Sequence, residues 1–560
     1  MLAIDQNSRE ENNIKGYLFR RKWVLIFSLS VMVITTIPYF LGYWVENHDP
    51  QAAWRFTGFV FGVEDGNSYI AKALTGMTGD WLFRTPYTVI PQKGVIAFLP
   101  YLMLGKLVAP PGVHEQLVAL FHIFRFLAGI LMILATYDFI NYFIGDERLS
   151  KFGLVLAVLG GGVGWIGLLF GKSALLGSLP LEFYSPEAFG FLSLYGIPHL
   201  ALARAFLLWG FLLHFKFAAE PHNLDYRKFL IIGLLWLGVA LLQPLTAVTM
   251  GMVLGLHLIL IVVQNVKSIK PLVIENGREV AHYFKIFLYE IVLVLPYFIY
   301  YLAAYINDEF LKEWSAQNII TSPHPLHFLM AYIAVLPLVI LGFISTIKQR
   351  HIEKYILICW LILSFALAYS PVTVQRRLIE GIWVVMVVLM LSGYQWLRLS
   401  RPDKKWGWCL PLIGMIAIPS TCILLAGGGM TALTPMQPVF RPAAEIGSFE
   451  FLGSYAQPKD VVMASYETGN AMPAWAPIRV LVGHGPESAD FEKFKNIVES
   501  FYDGSQDDTE RQMIVDEYHV RFVYWGPDER KLGDWNPSQS TWLTQVFDYN
   551  GYAVYERVRQ

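Results

Sequence analysis

About eleven stretches of this chain are apolar over roughly the 17 to 25 residues that a helix needs to cross a bilayer. They fall at 23–44, 117–143, 152–171, 196–217, 229–246, 247–264, 286–305, 326–346, 355–371, 372–397 and 407–427. Lipid offers no partner to a bare backbone amide, so runs repeated in this way admit a bundle of spanning helices and little else. Composition agrees: 55% of the residues are hydrophobic, 16% are charged, and the mean hydropathy is +0.44, too apolar for a soluble enzyme of this length. A net charge of -1 gives no basic field for nucleic acid. The three cysteines, Cys359, Cys409 and Cys422, all lie in apolar runs and suggest neither a disulfide framework nor a metal site.

The first run follows Arg20, Arg21 and Lys22 as a signal peptide would, yet it has the length of a full span and no small-residue cleavage site after it. It reads as an uncleaved anchor, with residues 1–22 in the cytoplasm. The stretch 94–108 is apolar but short and flanked by Pro91, Pro110 and Pro111, which favours a helix lying at the interface. Lys and Arg should collect in alternate loops, on the cytoplasmic side. With this count they do: Arg148 and Lys151; Lys216, Arg227 and Lys228; Lys267, Lys270, Arg278 and Lys285; Lys348, Arg350 and Lys354; Arg398, Arg401, Lys404 and Lys405 share one side. The expected protein is a multi-pass cell-membrane protein. A membrane domain covers 23–430, and a long first loop at 45–116 and the C-terminus lie outside. After the linker "GGGMTALTP" the chain turns polar, and short strand-like runs such as "DVVMAS", "IRVLV" and "VRFVYW" alternate with helical stretches near 487–502 and 508–518. Residues 440–560 are therefore expected to form a small extracytoplasmic α/β domain.

Ionisable groups inside a span cost several kcal/mol unless they face a polar cavity, so each is a candidate for function. Here they gather at one depth. Arg125 and Arg204 are expected roughly 12 Å below the outer surface, and Arg376 and Arg377 roughly 7 Å below it, at 1.5 Å per helical residue. His122, His199 and Gln243 accompany them. On the same side the first loop carries "FGVEDGNSYIAKALTG", with adjacent acids Glu64 and Asp65 and the aromatic Tyr69. A structural account exists for most of these. Arg125 or Arg204 could snorkel to the interface, His199 in "GIPHL" could simply start a helix, and the acids could cap the helix through "NSYIAKAL". The adjacent Arg376 and Arg377 point about 100° apart on a helix and cannot both serve one neighbour, which favours anion binding by at least one.

Other motifs carry less. "GGGVGWIGLLFGKS" lacks the first glycine of a phosphate loop, since Ile166 stands there, and close helix packing explains it better. His324 and His327 in "SPHPLHF" lack a third ligand nearby. His484 in "VGHGPES" has two readings, a structural turn and a role over the active site.

Taken together, the long first loop with its acid pair, the number of spans and the outer C-terminal domain resemble the C-type (GT-C) glycosyltransferase superfamily, near its protein O-mannosyltransferase and aminoarabinose-transferase (family 39-like) branch. "RTPYTVIPQKGVIAFLPYLMLGKLV" is similar to the segment that follows the acid pair in that family, with Lys93 in the lysine position and the usual adjacent prolines missing. "HIFRFLAGILMILATYDFINYFIGDERLSK" is similar to the second span, with Arg125 near its entry. The resemblance runs over residues 20–260 by pattern and beyond them by topology. The order Glu then Asp departs from the Asp-Glu order common among O-mannosyltransferases. What the resemblance implies is sugar transfer from a polyprenyl-phosphate carrier.

Chemistry asks for the same parts. An inverting transfer needs a carboxylate to take the acceptor hydroxyl's proton, and the departing lipid phosphate needs cations where its charge develops. The expected roles are Asp65 as base, with Glu64 orienting the acceptor or holding a divalent ion such as Mg or Mn. Arg376, Arg377 and Lys93 are expected on the phosphate, and Arg125, Arg204, His199 and Tyr69 around the substrate. The partners expected are a polyprenyl-phosphate sugar, an acceptor that the sequence leaves open among protein, lipid and glycan, and membrane lipids. Two rivals remain at this stage. A transporter or flippase usually shows inverted repeats and charges near the midplane, which this chain does not show. A non-catalytic scaffold would leave the convergent arginines without a purpose.

Overall fold

The computed structural model describes residues 21–220, 225–267, 273–349 and 352–558. The expected cytoplasmic segment up to residue 20, and Lys270 and Arg350 among the loop cations, lie outside the described residues. The chain divides into two compact units. One comprises the chain up to Ile37 with Arg125–Leu295 and Ile320–Leu425; the other comprises Pro38–Phe124, Pro296–Ile319 and Ala426–Gln560.

Among the described residues six helices are long and apolar enough to cross a membrane: Lys22–Asn47, Val113–Ile144, Pro198–Ala218, Pro244–Val263, Gln375–Ser400 and Cys409–Ala432. Two interrupted pairs, Val280–Val292 with Leu295–Asn307 and Pro325–Tyr332 with Leu336–Gln349, raise the count to eight if each is one span. In both, a proline (Pro296, Pro337) opens the second helix, where its missing N–H costs nothing and its ring bars continuation of the first. The other three expected spans are shorter helices. Tyr226–Leu242 has 17 residues and Tyr355–Ala368 has 14, the latter rising about 21 Å against a hydrocarbon core of about 30 Å. The stretch 152–171 breaks into Glu147–Leu159 and Gly164–Leu169, because the N–H of Gly164 turns aside to donate to buried Glu182 at 2.6 Å.

In the first unit the helix Ile382–Ser400 is buried continuously from Ile382 to Tyr394. It lies against Leu336–Gln349 with backbones nearly touching. A Cβ on Gly342 would sit 1.9 Å from the carbonyl oxygen of Leu389, and one on Gly393 would sit 2.0 Å from that of Leu338. Small residues hold apolar helices together in lipid by permitting this approach.

In the second unit, β1 (Trp54–Phe56) pairs antiparallel with β2 (Phe440–Pro442), Arg55 opposite Arg441. Beyond it stands a five-stranded sheet of β3 (Val461–Met463), β4 (Arg479–Val480), β5 (Val520–Trp525), β6 (Leu543–Tyr549) and β7 (Tyr552–Arg557), in the order β4-β3-β5-β7-β6. Strands β4, β3 and β5 run parallel, and β7 and β6 antiparallel. Val462, Val523 and Val554 are buried in the sheet, and the helices Phe491–Tyr502 and Asp508–Glu517 bring Phe494, Val498, Phe501 and Val515 to its core. The second helix starts on a capping box between Asp507 and Glu510. The three strand-like runs and both helical stretches expected from sequence fall on β3, β4, β5 and these two helices.

Candidate active site

The acid pair opens the helix Val63–Met77, in the second unit. Gly62 precedes it at φ +57°, a left-handed conformation that L side chains rarely adopt. Glu64 and Asp65 thereby occupy the first helical turn, at the positive end of the backbone dipole. Both acids are exposed, whereas Asn67, Ser68 and Lys72 further along are buried.

Each acid meets a side chain from the C-terminal part of the chain. His484 Nε2 lies 3.2 Å from Asp65 Oδ1. The Tyr466 hydroxyl donates to Glu64 Oε2 at 3.2 Å and accepts from the N–H of Gly485 at 3.4 Å. Burial and the neighbouring Glu64 carboxylate push the Tyr466 phenol up to about 12, so it remains a donor across the neutral range. One layer deeper, Glu487 accepts from Ser68 Oγ at 2.7 Å and from Thr85 Oγ1 at 2.9 Å, and forms an ion pair with the Lys72 ammonium. Burial alone would raise the Glu487 carboxyl; Lys72, His484 and the Ser68 hydroxyl outweigh it and hold the group below its ordinary 4.5. Lys72 is 1% exposed and lies over the Phe98 ring at 4.5 Å, with Tyr69 and Phe83 close by. Asn67 donates to Asn470 at 2.8 Å, and the Tyr87 hydroxyl donates to the Asn470 carbonyl at 3.1 Å.

Of the two readings of His484, the turn is observed. Its carbonyl accepts from the N–H groups of Glu487 and Ser488, each at 2.8 Å, and Ser488 Oγ accepts from the N–H of Gly483 at 3.1 Å. That is a tight turn, and it aims the imidazole at Asp65. A Cβ on Gly483 would sit 2.3 Å from the Gly469 carbonyl oxygen, so only glycine lets the turn lie against the helix that carries Tyr466.

The other expected residues are found as follows. Tyr69 stacks on Tyr101 at 4.6 Å and Phe121 at 5.9 Å. Lys93 is exposed, its N–H donating to Asp308 at 3.0 Å and its carbonyl accepting from Arg84 at 2.8 Å. In the first unit, Arg125 is fully buried and donates to Thr35 at 3.2 Å, Thr36 at 2.8 Å and the Leu194 carbonyl at 3.1 Å. Arg204 forms a buried pair with Glu380 at 2.5 Å and donates to the Pro186 carbonyl at 2.7 Å. His199 follows Pro198 at the start of its helix. Arg376 and Arg377 lie in the 3₁₀ turn Gln375–Ile379, Arg377 exposed and the Arg376 guanidinium 4.6 Å above the Tyr184 ring. The neighbouring imidazoles serve the fold: His122 meets the Gly58 carbonyl at 2.9 Å, and His327 meets that of Leu175 at 2.8 Å.

Lys72, Tyr466 and Glu487 do not stand out in the sequence. The spacing of Asp65, Ser68 and Lys72 on one helical face was a legible signal; their partners, some 400 residues further on, were not. Among the described residues no group of three or more His, Cys, Asp or Glu side chains is placed to hold a metal.

No protein-family model and no curated protein matches the sequence. Solved structures share its fold, two of them as follows. ArnT from Cupriavidus metallidurans, bound to undecaprenyl phosphate, superposes with a TM-score of 0.52 at 12% identity, over 96% of this chain and 98% of that one. The oligosaccharyltransferase of Archaeoglobus fulgidus in its apo form gives a TM-score of 0.51 at 12% identity, over 90% of this chain and 70% of that one. The chain thus shares the fold of these two proteins: a multi-pass helical membrane protein with a small C-terminal sheet domain.

Proposed function

We propose that the protein is a glycosyltransferase that moves a sugar, with inversion, from a polyprenyl-phosphate donor to an acceptor on the extracytoplasmic side of the membrane. The observation that carries this reading is the exposed acid pair, each member held by a side chain of the C-terminal domain. The fold shared with a protein solved on undecaprenyl phosphate supports a donor of that class.

In the proposed reaction Asp65 takes the acceptor hydroxyl's proton as its oxygen attacks the anomeric carbon. The bond from that carbon to the phosphate breaks on the opposite face, and the electron pair leaves with the phosphate. Glu64 orients the acceptor, and Lys93 is assigned to the phosphate. Arg125 and Arg204 spend their guanidinium groups on protein acceptors, so we give them no direct role. The acid pair brings two carboxylates, too few to cage Mg or Mn alone; a cation there would be held jointly with substrate oxygens.

Purified protein given a radiolabelled polyprenyl-phosphate hexose should release the free carrier, and Asp65→Asn should abolish release while the unfolding midpoint is unchanged. Undiminished turnover by Asp65→Asn would sink the base assignment. Replacing Lys93 with Gln should raise KM for the lipid donor about tenfold or more, one charge-assisted contact to phosphate being worth about 1.5–3 kcal/mol.

A further inference from the structure

We infer that the C-terminal domain is part of the catalytic apparatus, with His484 as a positioning residue that donates its Nε2–H to Asp65 and aims that carboxylate at the acceptor, while Tyr466 does the same for Glu64. This rests on the reading of Asp65 as base.

Exposure is the first observation. The Asp65 side chain is 58% exposed and that of His484 only 5%, so the imidazole supports the carboxylate from the protein side and leaves it open to a substrate. A carboxylate oxygen at 3.2 Å can only accept, which places a ring proton on Nε2.

The second is that the ring has little freedom. Its Nδ1 faces Glu487 Oε1 at 3.6 Å, and Glu487 is itself pinned by Ser68, Thr85 and Lys72. Tyr87 flanks the ring at 5.6 Å between centroids. The backbone holds it too, since Ser488 Oγ accepts from the N–H of His484 at 3.3 Å.

The third is that the two supports are joined. Tyr466, which donates to Glu64, accepts from Gly485, the residue after His484. One short loop thus fixes both acids at once.

Packing does not explain the arrangement. The domain is already tied to the acid-bearing helix by the buried Lys72 and Glu487 pair and by Asn67 on Asn470. Burying an imidazole against a carboxylate that water could solvate adds a desolvation cost without adding apolar contact. Orienting a base recovers that cost in the transition state, where a misplacement of about 1 Å can lose roughly 100-fold in rate.

The test uses the full chain in lipid nanodiscs with a radiolabelled polyprenyl-phosphate hexose. His484→Phe should lower kcat roughly 10- to 100-fold while KM for the donor stays within about twofold. His484→Gln, which keeps an N–H donor, should recover most of the rate, and both variants should unfold at the same temperature. Wild-type kcat in His484→Phe overturns the inference, and so does an equal loss in both variants that follows a lowered unfolding temperature. Asp65→Asn in the same assay separates the two readings. If it is dead while His484→Phe is fully active, only the positioning role fails; if it is active, the base assignment fails and the positioning role with it.

Discussion

Lys72 and Glu487 show what one buried pair can demand. Both are almost fully buried, and each neutralises a charge that would otherwise be stranded. Lys72→Met should therefore cost about 3–5 kcal/mol, the penalty of leaving one buried charge unpaired, and Lys72→Met with Glu487→Leu should recover much of it. Unfolding midpoints of the three variants check this. The pair also sets a pH dependence. The folded Glu487 carboxyl sits below the unfolded value of 4.5, so its contribution is fully present above about pH 4.5 and is lost as pH falls through the folded value. Protection factors for hydrogen exchange across residues 66–74, corrected for the intrinsic exchange rate, should fall on acidification, and Glu487→Gln should remove that limb.

At the scale of elements, the helix contact in the first unit is set by backbone approach. Gly342→Ala would press a methyl into the Leu389 carbonyl, and a loss of roughly 1–3 kcal/mol is expected, as for other overpacked sites. Gly427→Ala, on a helix where a Cβ meets nothing within 4 Å, should be neutral or slightly stabilising. Thermal unfolding of the two variants separates packing from helix propensity. Strands β3, β4 and β5 of the C-terminal sheet are legible as β-branched and aromatic runs, whereas β6, β7 and the hairpin between them are not among the expected strands. Its turn carries Asn550 at φ +48° and Gly551 at φ +85°, an Asn-Gly pair that is among the strongest local hairpin signals.

For the whole molecule, the prediction concerns sidedness. The alternating basic loops are the ground for expecting the C-terminal domain outside. In a variant lacking the native cysteines, Ser505→Cys should react with a membrane-impermeant maleimide in intact cells, and Asp403→Cys only after permeabilisation; both positions are exposed. The reverse pattern would move the acid pair to the cytoplasm and refute the proposed topology. Span counting from sequence reaches about eleven, and six to eight helices among the described residues qualify by length and composition; hydropathy records how apolar a run is and not where its helix stops. Glu182, capturing the Gly164 N–H, breaks one such run from 18 residues away.

Hydropathy, loop charge and helical spacing are local properties of the chain, and by themselves they determined a polytopic helical protein with a sheet domain at its end and an acid pair opening a helix. Partnership between distant residues is not a local property. Arg125 and Arg204 looked like free cations because the groups that accept from them, Leu194 and Glu380, lie 69 and 176 residues away. His484 and Tyr466 reach Asp65 and Glu64 across more than 400 residues. Only tertiary structure decided which charges serve the fold and which side chains hold the acids in place, because a charge in an apolar sequence announces that it needs a partner without saying where the partner is.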